Sequence, residues 1–359
     1  MTIAQNHFAA MAAYQLADLT PPPGRELISL CQNESLRPPS PLVLEAAQSA
    51  MASSMLYPDP DWTALREAIG EIHHIAPDQI LCGNGSLDLI GALARVYAGP
   101  DRAVLAPEHA YPFFKTVAQL AAARFDTAQE KELSVDVSNL LASVREDTGI
   151  VFVANPGNPT GTRIAKSELV RLREELRDDI LLVIDEAYGE FADHLNEGCF
   201  DLVARGNTAL LRTFSKAYGM AGFRVGWGLF PPVIAAEIRK VLNPNNISLA
   251  AQAAATAAAR DQHYMRETCQ LVGEIKARAA SKMRAAGFRV FDSFTNFILI
   301  DMESENNARH VDASLRREGI FLRRQAGVGL PNMLRMTIGP EAHVNAAVSE
   351  VLKWKGQMT

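Results

Sequence analysis

Thr213-Phe214-Ser215-Lys216-Ala217-Tyr218-Gly219-Met220-Ala221-Gly222-Phe223-Arg224-Val225-Gly226-Trp227 sets one lysine among apolar, small hydroxyl and glycine residues, with an arginine eight positions on. A lysine in apolar surroundings has a lowered pKa and acts as an amine nucleophile, able to condense with an aldehyde. Arg224 and Ser215 can grip an anion, since a guanidinium gives charge-assisted bidentate bonds, and Thr213 can assist. Residues 209–213 and 225–229 read as strands on either side, so Lys216 follows a strand end.

Upstream, apolar runs alternate with helix-like stretches. Residues 79–82, 103–106, 148–154 and 180–184 read as strands, and residues 87–97, 114–123 and 166–177 as helices. Such alternation predicts a mostly parallel α/β sheet, and the nearly all-apolar strand at 180–184 predicts cover on both faces. Helices are also expected over 42–51 and over 62–73, the latter capped by Asp61. Alanine-rich sequence predicts one long helix from 249 to about 286. A smaller α+β unit follows, with strands at 288–291, 297–300, 320–323 and 333–338 and helices at 306–317 and 341–354. The expected division is an N-terminal arm and small-domain segment (1–41), a large domain (42–255) and a small domain (256–359). Residues 1–24 begin helix-like and end at Pro21-Pro22-Pro23-Gly24, a breaker.

In α/β sheets ligands bind past the carboxyl ends of strands, so the loops there should converge. Gly83-Asn84-Gly85-Ser86 opens a helix with free N–H groups suited to a phosphate, and Asn84 or Ser86 can add a bond. Asn155-Pro156-Gly157-Asn158-Pro159-Thr160-Gly161 fixes the backbone and holds Asn158 as a donor. In Ile184-Asp185-Glu186-Ala187-Tyr188 an acid follows four apolar residues; buried there, it needs a cation. A protonated pyridine nitrogen would serve, and Tyr188 could bond a neighbouring phenolate oxygen. Amine, carboxylate and phosphate cradle together point to pyridoxal 5'-phosphate. Arg335 alternates with apolar residues in 333–338 and offers a fork to a substrate carboxylate; Arg323 and Arg324 are nearby in sequence.

The net charge is −6 over 359 residues, so there is no general basic field for nucleic acid. The four cysteines form no CxxC pair and the eight histidines show no ligand spacing, which argues against a metal. No signal-peptide pattern or membrane-length apolar run is seen, and a cytoplasmic protein is expected.

These residues carry a resemblance. From about residue 30 to 351 the chain resembles fold-type I pyridoxal-phosphate aminotransferases, and is most similar to the histidinol-phosphate aminotransferases. The resemblance implies an aspartate-aminotransferase-like large domain with a seven-stranded sheet. It implies that Lys216 carries the cofactor, that Asp185 faces the pyridine nitrogen, and that Asn158 and Tyr188 bond the phenolate oxygen. Ser215 and Arg224, with Gly85-Ser86, match the phosphate site, and Tyr111 the ring that stacks on the cofactor. Tyr57 falls where a tyrosine of the partner subunit reaches the phosphate, which implies a homodimer with shared sites. Arg335, and Arg323 of the doublet, match substrate-site arginines, and Asn296 lies in a Thr-Asn-Phe-Ile segment that the family shares. Gln32-Asn33-Glu34-Ser35 departs from the family's Asn-Glu-Asn-Pro in the segment that lines the substrate pocket, with Asn33 as the substrate contact. The implied reaction is ping-pong transfer from L-histidinol phosphate to 2-oxoglutarate. Aromatic amino acids as donors and decarboxylation of threonine phosphate stay open as alternatives, and a non-enzymatic regulatory role stays as a remote one.

Overall fold

The computed structural model describes residues 6–9, 11 and 19–357, so most of the helix-like start of the chain lies outside the described residues. Seven strands form the larger sheet: β1 (Ile80–Asn84), β2 (Ala103–Pro107), β3 (Phe125–Ala128), β4 (Thr148–Ala154), β5 (Leu181–Asp185), β6 (Thr208–Thr213) and β7 (Val225–Leu229). Their spatial order is β1-β7-β6-β5-β4-β2-β3. All neighbours are parallel except β7, which runs antiparallel to both β1 and β6. Every residue of β5 and β6 is buried, as expected of strands covered on both faces. The edge strand β3, Phe-Asp-Thr-Ala, carries no such signature: it is half polar and mostly half-buried.

A second, four-stranded antiparallel sheet contains β8 (Arg289–Val290), β9 (Phe297–Asp301), β10 (Arg323–Gln325) and β11 (Leu330–Thr337), in the order β10-β11-β9-β8. The strand expected over 320–323 divides. Ile320–Phe321 pairs in parallel with Ile28–Ser29, and β10 turns to pair with β11, which brings Arg323 opposite Arg335. The Thr337 N–H then donates to Leu30 O at 2.9 Å, so the segment entering from the N-terminus is stitched between two elements from the far end of the chain.

Two expectations need correction. The long helix is two helices, Leu249–Arg260 and Gln262–Ala285. Asp261 leaves helical geometry between them, and its carboxylate caps the second by accepting from the Tyr264 N–H at 3.3 Å. Asp61 does not cap the helix Thr63–His73. Trp62, in the left-handed region, occupies the cap position, and Asp59 accepts from the Thr63 N–H at 2.7 Å. The Asp61 carboxylate instead pairs with Arg66 and Arg239.

Beneath the Asp185 loop lies a buried charge cluster. Arg212, in β6, pairs with Glu186 at 2.9 Å, Asp193 at 2.8 Å and Glu190 at 3.6 Å. Removing the cation strands buried carboxylates, so Arg212→Met is expected to destabilise the protein by about 3–5 kcal/mol. Urea unfolding measures this; a loss below about 1 kcal/mol would show that the cluster is not held by Arg212.

Candidate active site

The strand ends converge. Lys216 follows β6, Asp185 ends β5, Asn158 follows β4, Tyr111 follows β2 and Gly85-Ser86 follows β1. Lys216 is half-buried, and its Nζ donates to Asn33 O at 3.1 Å and Gln32 O at 3.4 Å. It also lies 5.9 Å from the centre of the Tyr188 ring. Burial first, then the Arg335 and Arg224 charges, pulls this amine down to about 8. Condensation needs the neutral amine, whose fraction grows as pH rises through that value. Capture of an aldehyde by the cofactor-free protein should therefore speed up with a midpoint near pH 8. A midpoint near 10.5, that of an ordinary lysine, would show that the pocket does not tune Lys216.

Asp185 is buried and accepts from the Ala187 N–H at 3.0 Å. It makes no ion pair among the described residues, unlike its neighbour Glu186, which Arg212 neutralises. Burial, opposed only in part by that N–H, raises its carboxyl to about 6. A buried carboxylate without a cation, beside a tuned amine, fits a cationic pyridine ring. Tyr188 is also buried, and its hydroxyl oxygen accepts from Asn33 Nδ2 at 2.7 Å. Its ring meets Phe297 edge-on.

The anion cradle is tight. Gly85 has φ 75°, and a Cβ there would run into the Arg224 guanidinium. A Cβ on Gly226 would strike the Ser86 nitrogen, so the start of β7 meets the turn after β1 backbone to backbone. Arg224 Nη1 donates to Ser215 Oγ at 3.2 Å, and Thr213 Oγ1 donates to the same oxygen at 3.1 Å. The twelve-residue helix Ser86–Tyr97 begins here. The backbone N–H of Asn84 is taken by Asp88 at 3.0 Å, which leaves the side chain of Asn84 for a ligand. An open groove of about 660 Å³ runs from Arg224 past Asn84 to Asn246 and Tyr57. Tyr57 lies on its rim, 87% exposed.

At the other end, Arg335 Nη1 donates to Asn158 Oδ1 at 2.6 Å and Nη2 to Cys31 O at 2.8 Å. Its Nε is buried without a partner, and no carboxylate pairs with Arg335 or Arg323 among the described residues. Arg324 pairs with Glu305, which singles out Arg323 as the doublet's uncommitted member. Tyr111 is half-buried, in edge contact with Phe114. Asn33 is brought to the site, but its side chain is engaged within the protein, by Tyr188 and by Thr337 Oγ1 at 3.1 Å. Thr337 and the Asn33 hub escape sequence reading because they meet across 304 positions. Asn296, noted in the Thr-Asn-Phe-Ile segment, donates to the carbonyls of Asn33 and Glu34 at 3.1 Å each.

The model of the aminotransferase class I and II family matches residues 25–351. The histidinol-phosphate aminotransferase of Rhodospirillum rubrum is 40% identical over 326 residues, 90% of this chain and 88% of that protein. The Ruegeria pomeroyi histidinol-phosphate aminotransferase is 37% identical over 329 residues, 92% of this chain and 91% of that protein. The crystal structure of the Sinorhizobium meliloti histidinol-phosphate aminotransferase in complex with pyridoxal-5'-phosphate superposes with a TM-score of 0.94 at 28% identity. That superposition covers 100% of this chain and 99% of the other.

Proposed function

The chain belongs to the class I and II aminotransferases, pyridoxal-phosphate-dependent enzymes, and on that premise we propose that it transfers the amino group of L-histidinol phosphate to 2-oxoglutarate. One observation carries the choice of donor. Arg335 and Arg323 face each other across a ladder beside Lys216, and neither has a carboxylate partner among the described residues. Two guanidinium groups whose charges no carboxylate offsets suit a doubly charged phosphate. In the second half of a ping-pong cycle the same groups take the carboxylate of the oxo acid.

Bound pyridoxal phosphate supplies an electron sink for the carbon that bears the amine. The rest falls to the chain. Lys216 would hold the cofactor through its amine and would take the proton from the donor's α-carbon. Asp185 keeps the pyridine nitrogen protonated. Asn158 and Tyr188 hold the phenolate oxygen, and Tyr111 covers the ring. Asn84, the Gly85-Ser86 helix start, Thr213, Ser215 and Arg224 hold the phosphate.

The same reading takes in the homodimer. Leu42, Leu44, Met51, Met55, Leu56 and Tyr57 are exposed between 48% and 87%, an apolar surface near the phosphate site. A second copy covering it would bring the partner's Tyr57 to that site. The division at residues 41 and 255 and a cytoplasmic location belong to this reading too. No helix among the described residues is long and apolar enough to cross a membrane.

Steady-state assays with 2-oxoglutarate test the donor. Two charge-assisted bonds to phosphate should favour histidinol phosphate over phenylalanine by at least ~100-fold in kcat/KM. Equal or reversed values would move the enzyme to aromatic transamination.

A further inference from the structure

We propose that Asn33 is a positioning residue that sets the hydroxyl of Tyr188 for its work on the cofactor, and that it ties this hydroxyl to the strand bearing Arg335. The inference rests on the function proposed above, and it reassigns Asn33 from substrate contact to internal clamp.

The geometry is a hub. Asn33 Nδ2 donates to the Tyr188 hydroxyl oxygen at 2.7 Å. Asn33 Oδ1 accepts from Thr337 Oγ1 at 3.1 Å, and the same Thr337 oxygen accepts the Asn33 backbone N–H at 3.0 Å. The Asn33 carbonyl accepts from Lys216 Nζ and from Asn296 Nδ2, each at 3.1 Å. All four polar elements of this one residue, two on the side chain and two on the backbone, are therefore occupied, and only 2% of the residue's surface is exposed. With every polar atom engaged inside the protein, the residue is held as part of the framework rather than presented to a substrate.

The direction of the bond to Tyr188 gives it consequence. Asn33 donates, so the tyrosine oxygen accepts and its own proton stays free for another acceptor. A phenol that accepts a hydrogen bond is also a better donor, because bonds in a chain polarise one another. Burial drives the Tyr188 hydroxyl up to about 12, while the Asn33 contact acts in the opposite sense. An aspartate at position 33 would accept rather than donate and would claim the tyrosine proton for itself.

The backbone explains why this position allows a clean test. Asn33 has φ 55°, a conformation that glycine adopts freely. Asn33→Gly therefore removes both side-chain bonds and keeps the carbonyl that faces Lys216. The expected result is a fall in kcat of about 10-fold with less than a 3-fold change in the KM of histidinol phosphate, on the scale of one buried hydrogen bond. The pH midpoint of the visible absorption band of the cofactor-loaded protein should also rise by about 0.5–1 unit, because the phenolate oxygen loses part of its donor. In a Tyr188→Phe background the same change should cost less than about 2-fold in kcat. Thr337→Val, which removes the partner of the Asn33 amide oxygen and of its backbone N–H but keeps the amide itself, should give the same signs with smaller size and serves if Asn33→Gly fails to fold. A raised KM with unchanged kcat would overturn the inference and return Asn33 to the substrate. So would an undiminished cost in the Tyr188→Phe background. If the unaltered protein shows no cofactor band, the function proposed above falls as well.

Discussion

Lys216→Ala is expected to lose transamination by at least ~10⁴-fold in kcat while still binding pyridoxal phosphate without a covalent bond. In the proposed reaction nucleophile and proton carrier are the same amine, so the substitution removes both contributions at once. No other lysine can take over, because Lys276, the other amine pulled down to about 8 by burial, is committed to the carbonyls of Ser293 and Thr295 at 2.6 and 2.7 Å. Single-turnover rates with histidinol phosphate, together with borohydride trapping of the cofactor, check this. A variant that keeps more than about 1% of the rate, or that still traps cofactor covalently, would displace Lys216 from its role.

Asp185→Asn should separate activity from stability. Losing the charge that the proposal sets opposite the pyridine nitrogen is expected to lower kcat/KM by about 10²–10³-fold, the usual scale for removing one aimed electrostatic group. In the cofactor-free protein the effect on stability runs the other way. The folded carboxyl sits at about 6, above its ordinary 3.8, so its favourable share of stability is present below pH 3.8 and is lost as pH rises through 6. At pH 7 the ionised, unpaired carboxylate costs about 2–3 kcal/mol. The cofactor-free Asp185→Asn protein should thus be the more stable one at pH 7, and the gap should close near pH 4. Urea titrations at both values decide the matter; a less stable variant at pH 7 would mean that Asp185 has a cation the hydrogen bonds do not reveal.

What could be read in the sequence follows from where its signals are local. Asp185 and Lys216 each follow an apolar run that is unmistakably a buried strand, so their place at a sheet edge followed at once. Asn158 belongs to the second of two Asn-Pro steps that fix its loop, and Arg224 stands out by its place eight positions after Lys216. The break at Asp261 was hidden because alanine-rich sequence before it and further helix-compatible sequence after it run on without a glycine or proline at the junction, and only the capping bond to Tyr264 reveals it. The edge strand β3 was lost because half-buried polar residues leave no period to detect. The family resemblance put Asn33 in the substrate pocket; the partners that occupy it, Tyr188 and Thr337, lie 155 and 304 residues away. Likewise the bond between Arg335 and Asn158 spans 177 residues, beyond any local pattern. Chemistry-bearing residues were thus legible one by one, while the contacts that orient them became visible only in the folded chain.

The most direct test of the proposed reaction is the visible spectrum of the cofactor-loaded protein, mixed with one amine at a time and no oxo acid. Histidinol phosphate and glutamate should each discharge the band of the Lys216-bound cofactor, and 2-oxoglutarate should restore it. Phenylalanine, tyrosine and threonine phosphate should act at least ~100-fold more slowly at equal concentration. A band that responds to phenylalanine or tyrosine but not to histidinol phosphate, or release of carbon dioxide from threonine phosphate without any need for an oxo acid, would contradict the proposal.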